Sequence, residues 1–236
     1  MKFTTVTLDN CSTATGVVVV IDVIRAFTTA AIAFSKGAKE ITLVSTVDEA
    51  FEWRKRLAGS ILMGEVGGLP IKGFDLGNSP FQLSKQDLSG KELIQRTSAG
   101  TQGAVLSENA DILLATSFVC ATATARYIQQ QSEKSVTFVI TGAPHGQGIK
   151  NAPTGLGDED KACTDYIQAI LSGPPPNPQP FIRRVLNSPS GKKFSTSTHP
   201  DISAKDLEYC TAVDLFDFAM LVTRTPERLI LRKTVI

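Results

Sequence analysis

Glycines and carboxylates concentrate in residues 64–80, GEVGGLPIKGFDLGNSP, where Glu65 and Asp75 stand among five glycines. Glycine loses more conformational freedom on folding than other residues, so a simple connecting loop would use fewer of them. We therefore expect a ligand to approach this backbone closely. The carboxylates of such a loop can bind a cation, and its N–H groups can bind an anion. A surface Ω-loop without a ligand is the alternative.

Other polar residues with similar chemistry follow short apolar runs. Asp22 and Arg25 come after VVVVI, hydroxyls and glycines fill the stretch 96–104, and acids open the stretch 157–163. Each feature alone has an ordinary explanation, because acids and hydroxyls also cap helices and acids favour a first helical turn. Together they predict a metal-assisted phosphate site, since hard cations take oxygen ligands and anions take hydroxyls and backbone N–H groups.

The apolar runs and the segments between them predict an α/β fold with a largely parallel or mixed sheet. β-branched runs of strand length alternate with helical patterns, which is typical of βαβ units. The predicted strands are 17–21, 41–45, 61–63, 92–95, 112–116 and 136–142. The predicted helices are 28–36, 46–57, 99–107, 118–130 and 158–171. In such sheets ligands bind beyond the carboxyl ends of the strands, where the polar residues above stand.

Length and composition limit the class of protein. The 236 residues predict a single domain over 1–236, and GPPPNPQP at 173–180 predicts a semi-rigid spacer before a C-terminal extension that docks on the same core. A net charge of +1 gives no support for a nucleic-acid groove or an acidic-membrane surface. Dispersed cysteines and an N-terminus without an apolar segment predict a cytoplasmic protein with no membrane partner.

Four motifs together resemble one known family. They are DVIRAFTTA (22–30), GEVGG with GFDLGNSP (64–80), RTSAGTQGA (96–104) and GDEDKAC (157–163). In this order they are similar to the 2-phosphosulfolactate phosphatases, which are associated with coenzyme M biosynthesis, over roughly residues 17 to 170. The resemblance implies a three-layer α/β/α fold, Mg²⁺ as cofactor, and hydrolysis of 2-phospho-3-sulfolactate to 3-sulfolactate and phosphate.

The resemblance also implies residue roles. The implied catalytic residues are Asp22, Arg25, Glu65 and Asp75. The implied substrate-binding residues are Thr28, Asn78, Ser79, Arg96, Thr97, Ser98, Gly100 and Thr101. The implied magnesium ligands are Asp22, Glu65, Asp75, Asp158 and Asp160, although Asp158 and Asp160 would also fit a first helical turn without any function. The expected partner is a small anionic phosphorylated substrate, and a homodimer is a further expectation.

Two positions depart from the family pattern, in which arginine is frequent after the loop glutamate and after the Gly-Thr pair. Here those places hold Val66 and Gln102. A substrate that carries phosphate, sulfonate and carboxylate needs several cations, and arginine forks are preferred partners for such groups. Arg96, just before the same turn, is a compensating candidate. Another small phosphorylated acid therefore stays open as the substrate.

Other function classes also stay open. An apolar strand ending in Asp22, a later one ending in Thr141 and the acidic GDED segment echo the haloacid-dehalogenase layout, which forms an aspartyl-phosphate. That layout requires a second Asp two residues after the first, where Ile24 stands. The absence of GxxxxGK[ST] disfavours a P-loop nucleotide-binding protein. A non-enzymatic module that binds a phosphate ligand is the remaining alternative.

One further motif has the spacing of a catalytic site. Cys120 and Arg126 match the CxxxxxR pattern of cysteine-dependent phosphatases, in which a thiolate attacks phosphorus. A loop that turns its amides around phosphate favours glycine, whereas FVCATATARYIQ has none and contains good helix formers. We therefore expect a helix with Cys120 on a buried face.

Overall fold

A mixed sheet flanked by helices forms the body of the protein. The computed structural model describes residues 1–142 and 157–236. The strands are β1 (Lys2–Thr7), β2 (Gly16–Ile21), β3 (Glu40–Val44), β4 (Ile61–Val66), β5 (Leu69–Pro70), β6 (Glu92–Arg96), β7 (Ala110–Thr116), β8 (Ser135–Ile140), β9 (Phe218–Arg224) and β10 (Leu229–Val235). Their order in the sheet is β1-β8-β2-β7-β9-β10-β3-β6-β4-β5, with most pairs parallel. The predicted α/β/α architecture is confirmed.

Helices connect the strands and cover both faces of the sheet. They are α1 (Ala26–Ser35), α2 (Val47–Arg56), α3 (Pro80–Leu83), α4 (Gly100–Leu106), α5 (Ala121–Gln129), α6 (Asp158–Ser172), α7 (Gln179–Asn187), α8 (Pro189–Thr196) and α9 (Ala204–Cys210). Short 3₁₀ helices span Cys11–Thr13 and Phe118–Cys120. All predicted strands and helices are present, with ends shifted by a few residues. Within the described ranges, we find no helix with the length and apolar character needed to cross a membrane.

The run VVVVI shows how the sheet buries both faces. Val17, Val19 and Ile21 pack in the core that contains α5 and α6, whereas Val18 and Val20 pack in the core that contains α1 and α4. Successive side chains of a strand point to opposite faces, so a strand covered on both sides needs apolar residues throughout. Strand β2 therefore ends abruptly at the first polar residue, Asp22.

The C-terminal segment contributes strands to the middle of the sheet. β9 pairs antiparallel with β7, and β10 pairs antiparallel with β3, so this hairpin joins two groups of parallel strands. Helix α7 begins at Gln179, within the predicted spacer 173–180, which is a correction to that boundary. The strands β1 and β10 were not predicted. Both have exposed positions and lack the continuous apolar run of β2.

Candidate functional site

A cleft of about 200 Å³ lies beyond the carboxyl ends of β2, β4 and β6. Helix α8, from the C-terminal part of the chain, contributes a further wall through Ser190, Lys193 and Phe194. Its lining residues are Asp22, Ile24, Arg25, Glu65, Gly67, Gly68, Asn78, Ser98, Ala99, Ser190, Lys193 and Phe194. The structure thus brings five of the sequence-predicted site residues into one cleft, namely Asp22, Arg25, Glu65, Asn78 and Ser98.

Asp22 is the buried acid at the end of β2. One of its oxygens, Oδ1, accepts a hydrogen bond from the Ala26 N–H at 2.9 Å, so the side chain also holds the start of α1. A Cβ on Gly100 would stand 2.7 Å from Asp22 Oδ2 and 2.7 Å from Ala26 Cβ, which explains why glycine is needed there. Burial raises the pKa of Asp22 to about 7, and repulsion from Glu65 and Glu159 adds to the effect.

Two more acids approach from the first turn of α6. Asp160 accepts the N–H groups of Val23 at 2.9 Å, Thr141 at 3.1 Å and Gly142 at 2.8 Å, and so ties α6 to the ends of β2 and β8. Burial, followed by repulsion from Glu159 and Asp22, raises its pKa well above the usual value. The Asp160 oxygens are thus occupied by backbone groups, which makes this residue a structural support of the site.

Glu159 has a different environment from its neighbour. Its Oε1 accepts a hydrogen bond from the Ser190 hydroxyl of α8 at 2.6 Å, while its buried Oε2 has no hydrogen-bond partner among the described residues. Burial raises the pKa of Glu159. The buried Oδ1 of Asn78, in the cleft wall, likewise has no partner in the described part of the chain. Buried oxygens without a partner of this kind can accept a hydrogen bond from water or bind a cation.

These oxygens have the chemistry that Mg²⁺ prefers. Asp22, Asn78 and Glu159 offer carboxylate and amide oxygens, and Mg²⁺ commonly uses one or two carboxylates while keeping several waters. Over residues 1–142 and 157–236, no three Asp, Glu, His or Cys side chains form a ready-made metal cage. The residues present therefore fit a partly hydrated magnesium ion rather than a metal held by protein ligands alone.

The glycine loop closes one side of the cleft. Glu65 Oε2 accepts the Gly68 N–H at 2.5 Å, and Oε1 accepts the Ser98 N–H at 2.5 Å. Gly64 has a φ of 149°, and a Cβ there would come within 1.9 Å of the Arg96 carbonyl oxygen. Glu65 therefore binds the loop to the turn after β6, and Gly67 and Gly68 present their backbone to the cleft.

Arg25 is almost fully buried and connects three parts of the chain. Its Nη1 donates to Asp206 Oδ2 of α9 at 2.9 Å, and its Nη2 donates to the Gly68 carbonyl at 2.9 Å. The guanidinium also lies 4.7 Å from the ring centre of Phe194. Since Asp206 balances its charge, Arg25 holds the walls of the cleft together. The expected catalytic role of Arg25 stays a prediction, since the residue also lines the cleft.

Two of the predicted acids lie away from the cleft. Asp75 pairs with Arg54 of α2 and accepts the Leu62 N–H at 2.8 Å, and it does not line the cleft. Asp158 pairs with Arg184 of α7 at 2.6 Å. Both expectations of a magnesium ligand are corrected, because each carboxylate is neutralised by an arginine outside the cleft. Asp75 was also expected to be catalytic, and its position does not support that role.

Several predicted substrate contacts are used inside the protein instead. Thr28 donates to the Val23 carbonyl, and Ser79 caps α3 and donates to Asp206 at 2.6 Å. Thr97 and Thr101 exchange hydrogen bonds with each other's backbone N–H groups and are fully buried. These hydroxyls are thus already satisfied, which corrects their expected role in binding substrate.

Arg96 and Gly100 support the cleft from behind. Arg96 donates to the Glu65 carbonyl at 2.9 Å and to the Ser45 carbonyl at 3.4 Å, and it does not line the cleft. At position 102, where the sequence departs from the family pattern, Gln102 donates to the carbonyls of Ser45 and Thr97 at 3.0 Å each. Val66, the other departure, is exposed. Neither Arg96 nor Gln102 therefore adds a cation to the cleft wall.

The cleft wall formed by α8 was not predicted from the sequence. Ser190, Lys193 and Phe194 lie in a stretch that reads as polar and turn-like, SPSGKKFST. The available signal was Ser188 followed by a proline, since serine is a good N-cap and proline is favoured in the first helical turn. The Ser188 hydroxyl does accept the Gly191 N–H at 3.0 Å at the start of α8.

Cys120 has no access to this cleft. It lies in the short 3₁₀ helix before α5, is fully buried, and has a thiol pKa that burial raises. A buried thiol with a raised pKa is a poor nucleophile. His145, which follows the predicted strand 136–142, lies outside the described residues.

Comparisons with known proteins place the chain in one family. A family model described as 2-phosphosulpholactate phosphatase matches residues 3–225. A protein of Bacillus subtilis named probable 2-phosphosulfolactate phosphatase is 37% identical over 211 residues, which cover 89% of this chain and 88% of the relative. Proteins with the same name from Carboxydothermus hydrogenoformans and Thermotoga maritima are 34% and 30% identical, covering 85% and 87% of this chain and 83% and 87% of the relatives.

Proposed function

Because the chain belongs to the 2-phosphosulfolactate phosphatase family, we propose that it is a Mg²⁺-dependent phosphatase that hydrolyses 2-phospho-3-sulfolactate to 3-sulfolactate and phosphate. The names of the relatives support the reaction and the substrate. The observation that carries the proposal in this chain is Asp22, a buried carboxyl at a strand end that lines the cleft and has a pKa of about 7. Such perturbed acids are typical of functional sites.

Asp22, Asn78 and Glu159 are the residues that would hold the magnesium ion. Asp22 and Asn78 line the cleft, and Glu159 is close enough to Asp22 to raise its pKa. When bound, the cation would offset the negative charge on the phosphate oxygens during transfer. A nearby cation also favours the ionised form of each carboxyl, so the cost of burying these acids without a partner would be relieved.

The remaining cleft residues would position the substrate. Phosphoryl transfer leaves little covalent work for a protein, and most of the catalysis comes from positioning and from electrostatic stabilisation. Ser98, Gly67 and Gly68 line the cleft, and because their N–H groups donate to Ser98 Oγ and to Glu65, they would shape the wall that the substrate packs against. Arg25 keeps Gly68 in place through its 2.9 Å bond to the carbonyl, and so would act as a positioning residue.

The dehalogenase-like alternative has less support. Its layout requires an acid two residues after Asp22, and the cleft wall presents the apolar Ile24 there. The family match does not favour it either. A different small phosphorylated acid is the alternative within the same reaction class, since both departures, Val66 and Gln102, leave the cleft without the arginines frequent in the family.

Phosphate release from a panel of phosphorylated hydroxy acids tests the proposal. The panel contains 2-phospho-3-sulfolactate, 2-phospholactate and 2-phosphoglycolate, each assayed with magnesium and after chelation. We expect the highest kcat/KM for 2-phospho-3-sulfolactate and no release after chelation. A higher kcat/KM for either of the other two esters would make that ester the preferred substrate. If none of the three esters is hydrolysed, the proposed phosphatase activity towards these hydroxy acids is refuted.

Four further properties are part of the proposal. We place the protein in the cytoplasm, in the formation of coenzyme M, and as a homodimer that does not bind nucleic acid. The near-neutral charge supports the last point. Light scattering coupled to size-exclusion chromatography tests the dimer, and a mass of 25.3 kDa in solution would refute it.

A further inference from the structure

The cleft has an uneven distribution of positive charge. Its lining cations are Arg25 and Lys193, which both approach Gly68. Arg25 is paired with the fully buried Asp206. Lys193 takes part in none of the ion pairs or hydrogen bonds of the described residues, so its charge has no partner there. The ammonium group is therefore available to an anion in the cleft.

Helix α8 fixes where this ammonium group points. Ser190, one turn before Lys193, donates to the buried Glu159 at 2.6 Å, and the next residue, Phe194, is buried under the Arg25 guanidinium. Residues three apart on a helix are neighbours on one face, so these contacts orient Lys193 towards the cleft. Its Nζ would stand 3.7 Å from a Cβ on Gly68.

The oxygen ligands and the lysine ammonium group lie in different parts of the cleft. Asp22 and Asn78, with Glu159 behind them, supply the oxygens of the proposed magnesium site, where the phosphate would bind. Lys193, on α8, also lines the cleft, and its ammonium group lies beside Gly68, a residue that supplies none of these oxygens. A substrate that spans the cleft would thus place one anion near the oxygens and their cation, and a second anion near Lys193.

We propose that Lys193 binds the sulfonate of the substrate and is the residue that selects for it. This inference rests on the proposed function. In 2-phospho-3-sulfolactate the carboxylate and the phosphate ester share one carbon, while the sulfonate is one carbon further away, so it is the anion that can extend from the magnesium site to Lys193 beside Gly68. An ammonium group has three rotatable donors and can meet three sulfonate oxygens from many directions. Lys193 thereby supplies a cation that Val66 and Gln102 do not.

The test compares Lys193→Met with Lys192→Met, the adjacent lysine of α8, which is exposed and does not line the cleft. Binding of 3-sulfolactate and of inorganic phosphate is measured by calorimetry with magnesium present. We expect Lys193→Met to weaken 3-sulfolactate binding about 10-fold or more, as for a lost hydrogen bond between charged groups. Phosphate binding changes less than about 3-fold, and Lys193→Arg restores most of the affinity.

Kinetics give the second readout. With 2-phospho-3-sulfolactate, Lys193→Met raises KM more than it lowers kcat, whereas with 2-phospholactate, which lacks only the sulfonate, both parameters change little. Equal losses for both esters, or equal weakening of phosphate and 3-sulfolactate, would overturn the sulfonate assignment. So would a wild-type protein that does not bind 3-sulfolactate. Failure of the wild type to release phosphate counts against the proposed function alone, because the binding measurement is independent of turnover.

Discussion

The end of β2 and the glycine loop carry the same kinds of residue but use them differently. In the loop, Glu65 is occupied by the Ser98 and Gly68 N–H groups, and Asp75 is neutralised by Arg54. At the end of β2, burial raises the pKa of both Asp22 and Glu159, and repulsion from Glu159 raises that of Asp22 further. A carboxylate at a strand end is therefore not a ligand by position alone. What distinguishes the two regions is whether each acid has found its partners within the chain.

The largest effect is expected from removing the Arg25 side chain, which connects the end of β2 to the glycine loop. Arg25→Ala leaves Asp206 buried without its cation, so the free energy of unfolding should fall by about 3–5 kcal/mol. Urea denaturation measures this change. The matched control is Arg126→Ala, whose exposed pair with Asp217 should contribute less than about 1 kcal/mol. If both variants are equally stable, Arg25 is not the connection that we describe.

The next effect concerns the two acids directly. Asp22→Asn should lower kcat by at least about 100-fold, because it removes charge next to the reacting phosphate, while Asp75→Asn stays within about 3-fold of wild type. Steady-state phosphate release measures both, with circular dichroism as the check on folding. A large loss in Asp75→Asn and a small one in Asp22→Asn would reverse the comparison.

A smaller effect is expected in the pH dependence of stability without metal. Burial raises the pKa of Asp22 from 3.8 to about 7, so the folded protein binds this proton more tightly than the unfolded chain does. Its contribution therefore becomes less favourable as the pH rises from about 4 to about 7 and stays unfavourable above that range. At pH 8 and with chelator, Asp22→Asn should be more stable than wild type by roughly 1–3 kcal/mol.

The same denaturation series at pH 4 supplies the control for this prediction. There the Asp22 carboxyl is protonated in the folded state, so the advantage of Asp22→Asn should largely disappear. A constant difference between wild type and variant across the pH range would mean that Asp22 does not titrate with a raised pKa.

The smallest effect is expected at Cys120, which belongs to neither region. The thiol is fully buried and burial raises its pKa, so Cys120→Ala should keep kcat/KM within about 2-fold of wild type. Treatment of the native protein with iodoacetamide should likewise leave activity intact. If the substitution or the alkylation abolishes activity while the fold is preserved, Cys120 is the nucleophile and Asp22 is not the catalytic acid.

The sequence predicted the parts of the fold that depend on local patterns. The run VVVVI is buried on both faces, and the prediction of a strand ending at Asp22 followed from that alone. Strand β10 was missed because its second half is polar, ILRKTV, and its place between β9 and β3 depends on pairing with distant strands. Pairing partners across a sheet are not encoded in a local pattern.

For the site, the sequence indicated which strand ends matter but not which side chains are free. Asp75 and Asp22 were both predicted to be magnesium ligands. The ion pair of Asp75 with Arg54, which lies on a different element, distinguishes their roles. The wall that contains Lys193 lies far along the chain from the glycine loop and meets it through Arg25, which donates to Gly68 and lies over the Phe194 ring. Ion pairs and contacts between remote segments decide such roles, and a single sequence does not display them.

Calorimetric titration of magnesium into wild type, Asp22→Asn and Asp75→Asn tests the central claim most directly. In our proposal, the acids at the end of β2 bind the cation and the acids of the glycine loop do not. It predicts that Asp22→Asn weakens magnesium binding by at least about 10-fold, while Asp75→Asn binds as wild type does. Unchanged binding in Asp22→Asn, or a loss confined to Asp75→Asn, would contradict it.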